Sequence, residues 1–148
     1  MDLNAVVWLT SIGFKPAGEW HLENDKPRCR IDDCGALSQI LYAFVIDGQV
    51  MYIGKSIRTL RQRMYNYMNP GPTQPTNIAN NARIAEALRA NKTIHLYVFQ
   101  PDPSTYQGIP LNLAAGLEDG LIAAFKPPWN GSTKQLELGL KLSVNEQD

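Results

Sequence analysis

The sequence predicts an α/β (α+β) domain: a small antiparallel three-stranded sheet flanked by helices, with an N-terminal helix-hairpin extension and a C-terminal strand. Three observations carry this. Residues 40–46 and 50–54 are runs rich in β-branched and aromatic residues, and Asp47-Gly48 between them is a strong hairpin-turn pair. From Ser56 the pattern turns helical, with Leu60, Met64 and Met68 every four residues and four cations but no acid from Lys55 to Met68. Residues 93–100 (TIHLYVFQ) then read as a third strand, and residues 112–125 as another helix.

Along the chain, residues 3–12 place Leu3, Val6, Val7 and Leu9 at the spacing of a short amphipathic helix that Gly13 can end. Residues 20–23 and 28–31 flank Asn24-Asp25-Lys26-Pro27 as a small hairpin. Residues 1–37 thus form an extension, by default a cap packed on the core, otherwise a DNA-reading accessory or a dimer contact. Cys29 and Cys34 are the only cysteines, expected as reduced thiols.

The hairpin loop decides where the tyrosines point. A two-residue turn pairs Ile46 with Gln49 and separates Tyr42 from Tyr52. A three-residue loop, with Gly48 as a left-handed bulge residue, pairs Val45 with Gln49 and sets Tyr42 opposite Tyr52. The second is expected, because it puts two hydroxyls on one face beside an arginine-bearing helix. On that helix Arg63 and Tyr67 are one turn apart and border the apolar stripe, so Arg63 should lean over the sheet while Arg58, Arg61 and Gln62 face solvent.

Residues 69–77 are a turn-rich polar loop whose Asn69, Thr73, Gln74 and Asn77 suit contacts to phosphate or base. A helix over 78–90 follows, then the third strand with His95, Tyr97 and Phe99 on one face, then a loop over 101–110. The helix over 112–125 has Leu113, Leu117, Leu121 and Phe125 as its stripe, with Glu118 one step round. Pro127-Pro128 stops it and fixes Trp129, a core plug, and Asn130. Residues 136–142 (LELGLKL) alternate as a one-sided strand that must cover something apolar, the N-terminal hairpin or a second subunit.

At 148 residues, 44% hydrophobic and 19% charged, the chain is long and apolar enough for one domain with a real core. A formal net charge of zero argues against a generic nucleic-acid sponge, but the charge is segregated. Acids crowd the first third, and Lys55, Arg58, Arg61, Arg63, Arg83, Arg89 and Lys92 occupy the middle. No apolar run reaches membrane-spanning length and the N-terminus lacks a basic start, so a cytoplasmic protein is expected.

Tyr42, Tyr52-Ile53-Gly54-Lys55, Leu60-x-x-Arg63, Gly116-Leu117-Glu118-Asp119 and Pro127-Pro128-Trp129-Asn130 occur in the order of the GIY-YIG nuclease superfamily, which residues 38–131 resemble. Ile40 replaces the glycine of the family's first motif, and Tyr67 stands where some members carry histidine. The resemblance implies a GIY-YIG-like nuclease core over 38–131, with 132–148 as a tail, acting as a metal-dependent endonuclease on DNA, restriction-like or repair-related. It implies Tyr42, Tyr52, Lys55, Arg63, Tyr67, Glu118 and Asn130 as catalytic residues and Glu118 as the ligand of Mg²⁺ or Mn²⁺. Tyr42 would handle the attacking water, helped by Lys55 and Arg63 to lose its proton. Lys55, Arg58, Arg61 and Arg63, with the loop's Asn69, Thr73, Gln74 and Asn77, would bind DNA. Cutting both strands would favour a homodimer. The alternative is a non-catalytic nucleic-acid-binding module that keeps the fold.

Overall fold

The computed structural model describes residues 5–131. The expected strand over 136–142 lies outside them. The elements run α1 (Ala5–Ile12), β1 (Lys15–Glu23), β2 (Lys26–Ile31), β3 (Ile40–Ile46), β4 (Gln49–Ser56), α2 (Leu60–Met68), α3 (Pro75–Arg89), β5 (Ile94–Phe99), β6 (Ser104–Tyr106), β7 (Ile109–Leu111) and α4 (Leu113–Phe125).

The sheet has five antiparallel strands in the order β2-β1-β5-β3-β4, not three. The additional pair is the N-terminal hairpin. Its β1 reaches back to Lys15 and pairs with β5, Lys15 opposite Val98 and Trp20 opposite Ile94. The expected strands were shorter because Lys15-Pro16-Ala17-Gly18-Glu19 has little intrinsic strand preference, and long-range pairing overrides that. Residues 101–110, expected as a loop, contain most of the short separate hairpin β6–β7.

β3 lies between β5 and β4, and all seven of its residues are buried. Its continuous apolar run is what a strand covered on both faces requires. One face carries Tyr42, Phe44 and Tyr52 against Leu60, Met64 and Tyr67 of α2 and Ile84 of α3. The other carries Leu41, Ala43, Val45 and Ile53 against Leu9 of α1 and Ala114 and Leu121 of α4.

The β3–β4 hairpin corrects the expected register. Ile46 pairs with Gln49 across a two-residue turn in which Asp47 and Gly48 have φ of 51° and 76°, the left-handed pair of a type I′ hairpin. The irregularity comes further on: Val45 pairs with Val50 but Phe44 with Tyr52, leaving Met51 as the extra residue. This bulge brings Tyr42 and Tyr52 to one face, with ring centroids 6.3 Å apart, although Tyr42 stands opposite Gly54.

Helix ends follow their caps. Thr59 and Gln62 form a capping box on α2, Pro75 opens α3, and the Asn112 side chain accepts from Ala115 N at 3.1 Å to start α4. On α4 the buried residues are Ala114, Glu118 and Leu121, while Leu117 is exposed. The expected leucine stripe is therefore rotated, and Glu118 sits on the buried face rather than beside it. Close approach of α4 to β4 favours a small residue at 114 over leucine size at 117.

Candidate active site

β4, α2, α3 and the start of α4 converge on a cleft of about 400 Å³. Its polar lining comes from Lys55, Ser56, Arg58, Arg63, Asn66, Asn77 and Asn112. Lys55 lies near the end of β4, and Ser56 braces the link to α2 by accepting from Arg58 N at 3.0 Å. Asn77, buried in the first turns of α3, accepts from Arg63 Nη1 at 2.9 Å.

Below the cleft lies a dry network. Arg63 Nη2 donates to Tyr67 Oη at 2.8 Å, and the Tyr67 and Tyr42 hydroxyls share a 2.6 Å hydrogen bond. The guanidinium also lies 4.1 Å from the Tyr67 ring centroid and 5.9 Å from that of Tyr42. Arg63 leans over the sheet as its helical position predicts. Gly54 leaves room for this arrangement: a Cβ there would stand 2.5 Å from the Tyr42 hydroxyl.

Burial dominates the phenols. It raises Tyr42, Tyr52 and Tyr67 above the ordinary tyrosine range, and Arg63 opposes the rise in each without reversing it. The direction at Tyr42 runs against the expectation that Lys55 and Arg63 would help it lose its proton. Tyr42 has no exposed surface, and its hydroxyl is engaged by Tyr67. Desolvation of a phenolate outweighs one nearby cation.

Glu118 is the buried carboxylate of the site, with Oε1 3.8 Å from Lys55 Nζ. Asp119 is exposed. Among the described residues no group of three or more His, Cys, Asp or Glu side chains could hold a metal. A lone carboxylate beside an open cleft does fit a hard cation that keeps several waters and takes substrate oxygens.

Asn130 stands apart from the cleft. Its Oδ1 accepts from Ile53 N at 2.7 Å and its Nδ2 donates to Ile53 O at 2.9 Å. The amide behaves as one more rung along the side of β4 away from β3, holding the strand that carries Tyr52 and Gly54.

Of the predicted DNA contacts, Lys55, Arg58, Arg63 and Asn77 meet in the cleft, and Arg61 faces solvent beside it. Asn69, Thr73 and Gln74 are exposed but do not line the cleft. Gln74 Oε1 is occupied by Gly71 N and Asn77 Nδ2, both at 2.9 Å. Sequence reasoning missed Asn66 and Asn112. It also missed the buried Asn80, and Asn81, whose amide donates to Tyr67 O at 2.8 Å. The spacing Asn77, Asn80, Asn81, Ile84 was the available signal: one helical face carrying three amides toward α2.

No protein-family model and no curated protein matches the chain. Solved structures do. A mutant of bacteriophage T4 EndoII matches with a TM-score of 0.68 and 23% identity, over 85% of this chain and 98% of that one. The restriction endonuclease Hpy188I in complex with product DNA matches with a TM-score of 0.51 and 20% identity, over 80% and 79%. This chain shares the fold of these two endonucleases. Among its described residues no helix is long and apolar enough to cross a membrane.

Proposed function

We propose that the protein is a metal-dependent endonuclease of GIY-YIG type that hydrolyses DNA phosphodiester bonds. The single observation that carries this reading is Glu118, a carboxylate buried on α4 yet set against Lys55 at the margin of a cleft that also presents Arg58 and Arg63. A carboxylate is costly to bury, and binding a polyanion has no use for one so close to its cations. Phosphodiester hydrolysis has a use for both. The fold shared with two endonucleases supports the same conclusion.

Glu118 would hold Mg²⁺ or Mn²⁺, which supplies Lewis-acid stabilisation of a leaving phosphate oxygen. The chain's own groups do the rest. Lys55 and Arg63 face the nonbridging oxygens, where charge accumulates as water adds. Asn77 and Tyr67 hold the Arg63 guanidinium from two sides, so its orientation is set before substrate arrives. Tyr42 fixes Tyr67 from beneath and stays protonated. Tyr52, 7% exposed, is the one of the three phenols with surface from which to orient water or phosphate.

Supercoiled plasmid and a defined branched DNA, each incubated with Mg²⁺ or EDTA, test the reading. Metal-dependent cutting lost in Glu118→Ala and Arg63→Ala is the expected result. DNA binding without cutting by wild-type protein, in Mg²⁺ and in Mn²⁺, would replace the enzyme with a binding module of the same fold.

A further inference from the structure

The candidate cleft does not end at Arg58. A second groove of about 400 Å³ runs over the outer face of α2, lined by Arg58, Arg61, Gln62, Tyr65 and Asn66, and shares Arg58 and Asn66 with the cleft. Arg61 and Tyr65 are four residues apart and so lie on one helical face. Tyr65 is 59% exposed, a large ring left in water.

Exposed Arg30 and Arg89 are paired with Asp32 and Asp25. Arg58 and Arg61 make no ion pair among the described residues, and α2 contains no acid. The nearest acids in sequence on the adjoining loop have other partners, Asp32 with Arg30 and Asp33 with the Cys34 thiol. Arg61 is also seated. Its guanidinium lies over Gly35, where a Cβ would fall 2.4 Å from both terminal nitrogens. The guanidinium thus rests against Gly35 while lining the groove.

We propose that this groove takes a nucleic-acid strand with accessible bases next to the scissile phosphate, Arg58 and Arg61 on its phosphates and Tyr65 stacked on a base. The inference rests on the nuclease reading for the position of that phosphate. An exposed aromatic flanked by arginines with no ion pair among the described residues, continuous with a basic cleft, is the chemistry that single-stranded segments use: stacking from the ring, neutralisation from the cations. The preferred substrate is then DNA with an unpaired flank, such as a flap or fork, rather than blunt duplex.

Binding is measured in EDTA, where nothing is cut. The probes are a blunt duplex and the same duplex with a single-stranded flank carrying 2-aminopurine. Wild type should bind the flanked DNA more tightly and quench the 2-aminopurine. Tyr65→Ala should weaken flanked DNA about tenfold, abolish the quench and leave blunt duplex unchanged, while Tyr65→Phe keeps wild-type behaviour. Arg61→Ala should lower the salt slope of log K by about 0.7–0.9, the equivalent of one phosphate. Gly35→Ala should shift binding in the same direction by displacing the guanidinium. Melting temperatures report whether each variant is folded. Equal wild-type binding to both DNAs, or unchanged quench and salt slope in Tyr65→Ala and Arg61→Ala, would overturn the groove. Cleavage in Mg²⁺ is scored separately. Cutting by variants with unaltered binding would sink the groove alone, whereas flank-dependent binding with no cutting would sink the nuclease reading alone.

Discussion

The candidate site has a dry half and a wet half, and they differ in what their residues are free to do. In the dry half Tyr42 and Tyr67 have no exposed surface, share a 2.6 Å hydrogen bond and receive Arg63 from above. In the wet half the Lys55 side chain is 50% exposed and Arg58 and Arg61 face solvent. Glu118 sits at the boundary. Burial keeps phenols neutral and fixes their geometry, while exposure keeps cations charged and available. The dry half is therefore a mount for Arg63, and the wet half is where a polyanion can be met. Substitutions should separate the two, with stability moving in one and activity or binding in the other.

The largest effect is expected at the boundary. Glu118→Ala should lower cleavage on the order of 10³-fold, as losing a group that stabilises transition-state charge does. The melting temperature should hold or rise, since a buried carboxylate is a cost to folding. Plasmid nicking and thermal denaturation of the same preparation check both. A fall in melting temperature with cleavage largely retained would place Glu118 in the scaffold instead.

Next comes the dry half. Gly54→Ala would put a Cβ 2.5 Å from the Tyr42 ring and hydroxyl, in a core with no slack. About 1–3 kcal/mol of destabilisation is expected from overpacking, with activity falling because Arg63 loses its mount. Tyr42→Phe should partly relieve the clash, and urea denaturation of single and double variants measures that coupling. Asn130→Ala should cost a similar ~1–3 kcal/mol by stripping the Ile53 N–H and C=O of their partner. Its DNA affinity in EDTA should stay at the wild-type value.

The same half predicts alkaline sensitivity. Tyr42, Tyr52 and Tyr67 are raised in the folded state by burial, so between the unfolded value near 10 and the higher folded one the native state holds more protons. Their contribution is complete below pH of about 10 and is lost as pH rises above it. Cys29, pushed up to about 12 by burial, acts with the same sign from a lower starting pH. Denaturation midpoints across the alkaline range should fall steeply, and Tyr42→Phe should flatten the fall. An unchanged slope in that variant would mean that Tyr42 is not among the groups that resist ionisation.

Much of this division is legible in the sequence, but unevenly. Asp47-Gly48, the four-residue recurrence of Leu60 and Met64 and the placement of Arg63 are local signals, and the structure follows them. The register between Tyr42 and Tyr52 is not local. Met51 is the extra residue because its neighbours must satisfy two different core faces, Val50 on one and Tyr52 on the other. α4 was misread for a related reason. Leucine at 113, 117, 121 and phenylalanine at 125 form the more hydrophobic stripe, yet the face toward β4 carries Ala114 and Glu118. Pattern reading weighs hydrophobicity and cannot weigh clearance, nor foresee a carboxylate on the buried face. The depth at which Tyr42 lies is likewise something that neighbouring cations in a sequence do not reveal.

The smallest expected effect gives the sharpest test of the wet half. Arg58 borders both grooves and makes no ion pair among the described residues; its backbone, not its guanidinium, meets the Ser56 hydroxyl. Removing the side chain should leave stability within about 0.5 kcal/mol of wild type, as for a surface position with no packing role. It should still reduce the salt slope of DNA binding by about 0.9 if it meets one duplex phosphate. Arg63→Ala must behave otherwise, because Asn77 and Tyr67 would both lose a charged donor in a partly buried place. Two arginines five residues apart should thus give opposite profiles, one visible in salt and the other in urea. Similar profiles for both would erase the boundary between the halves.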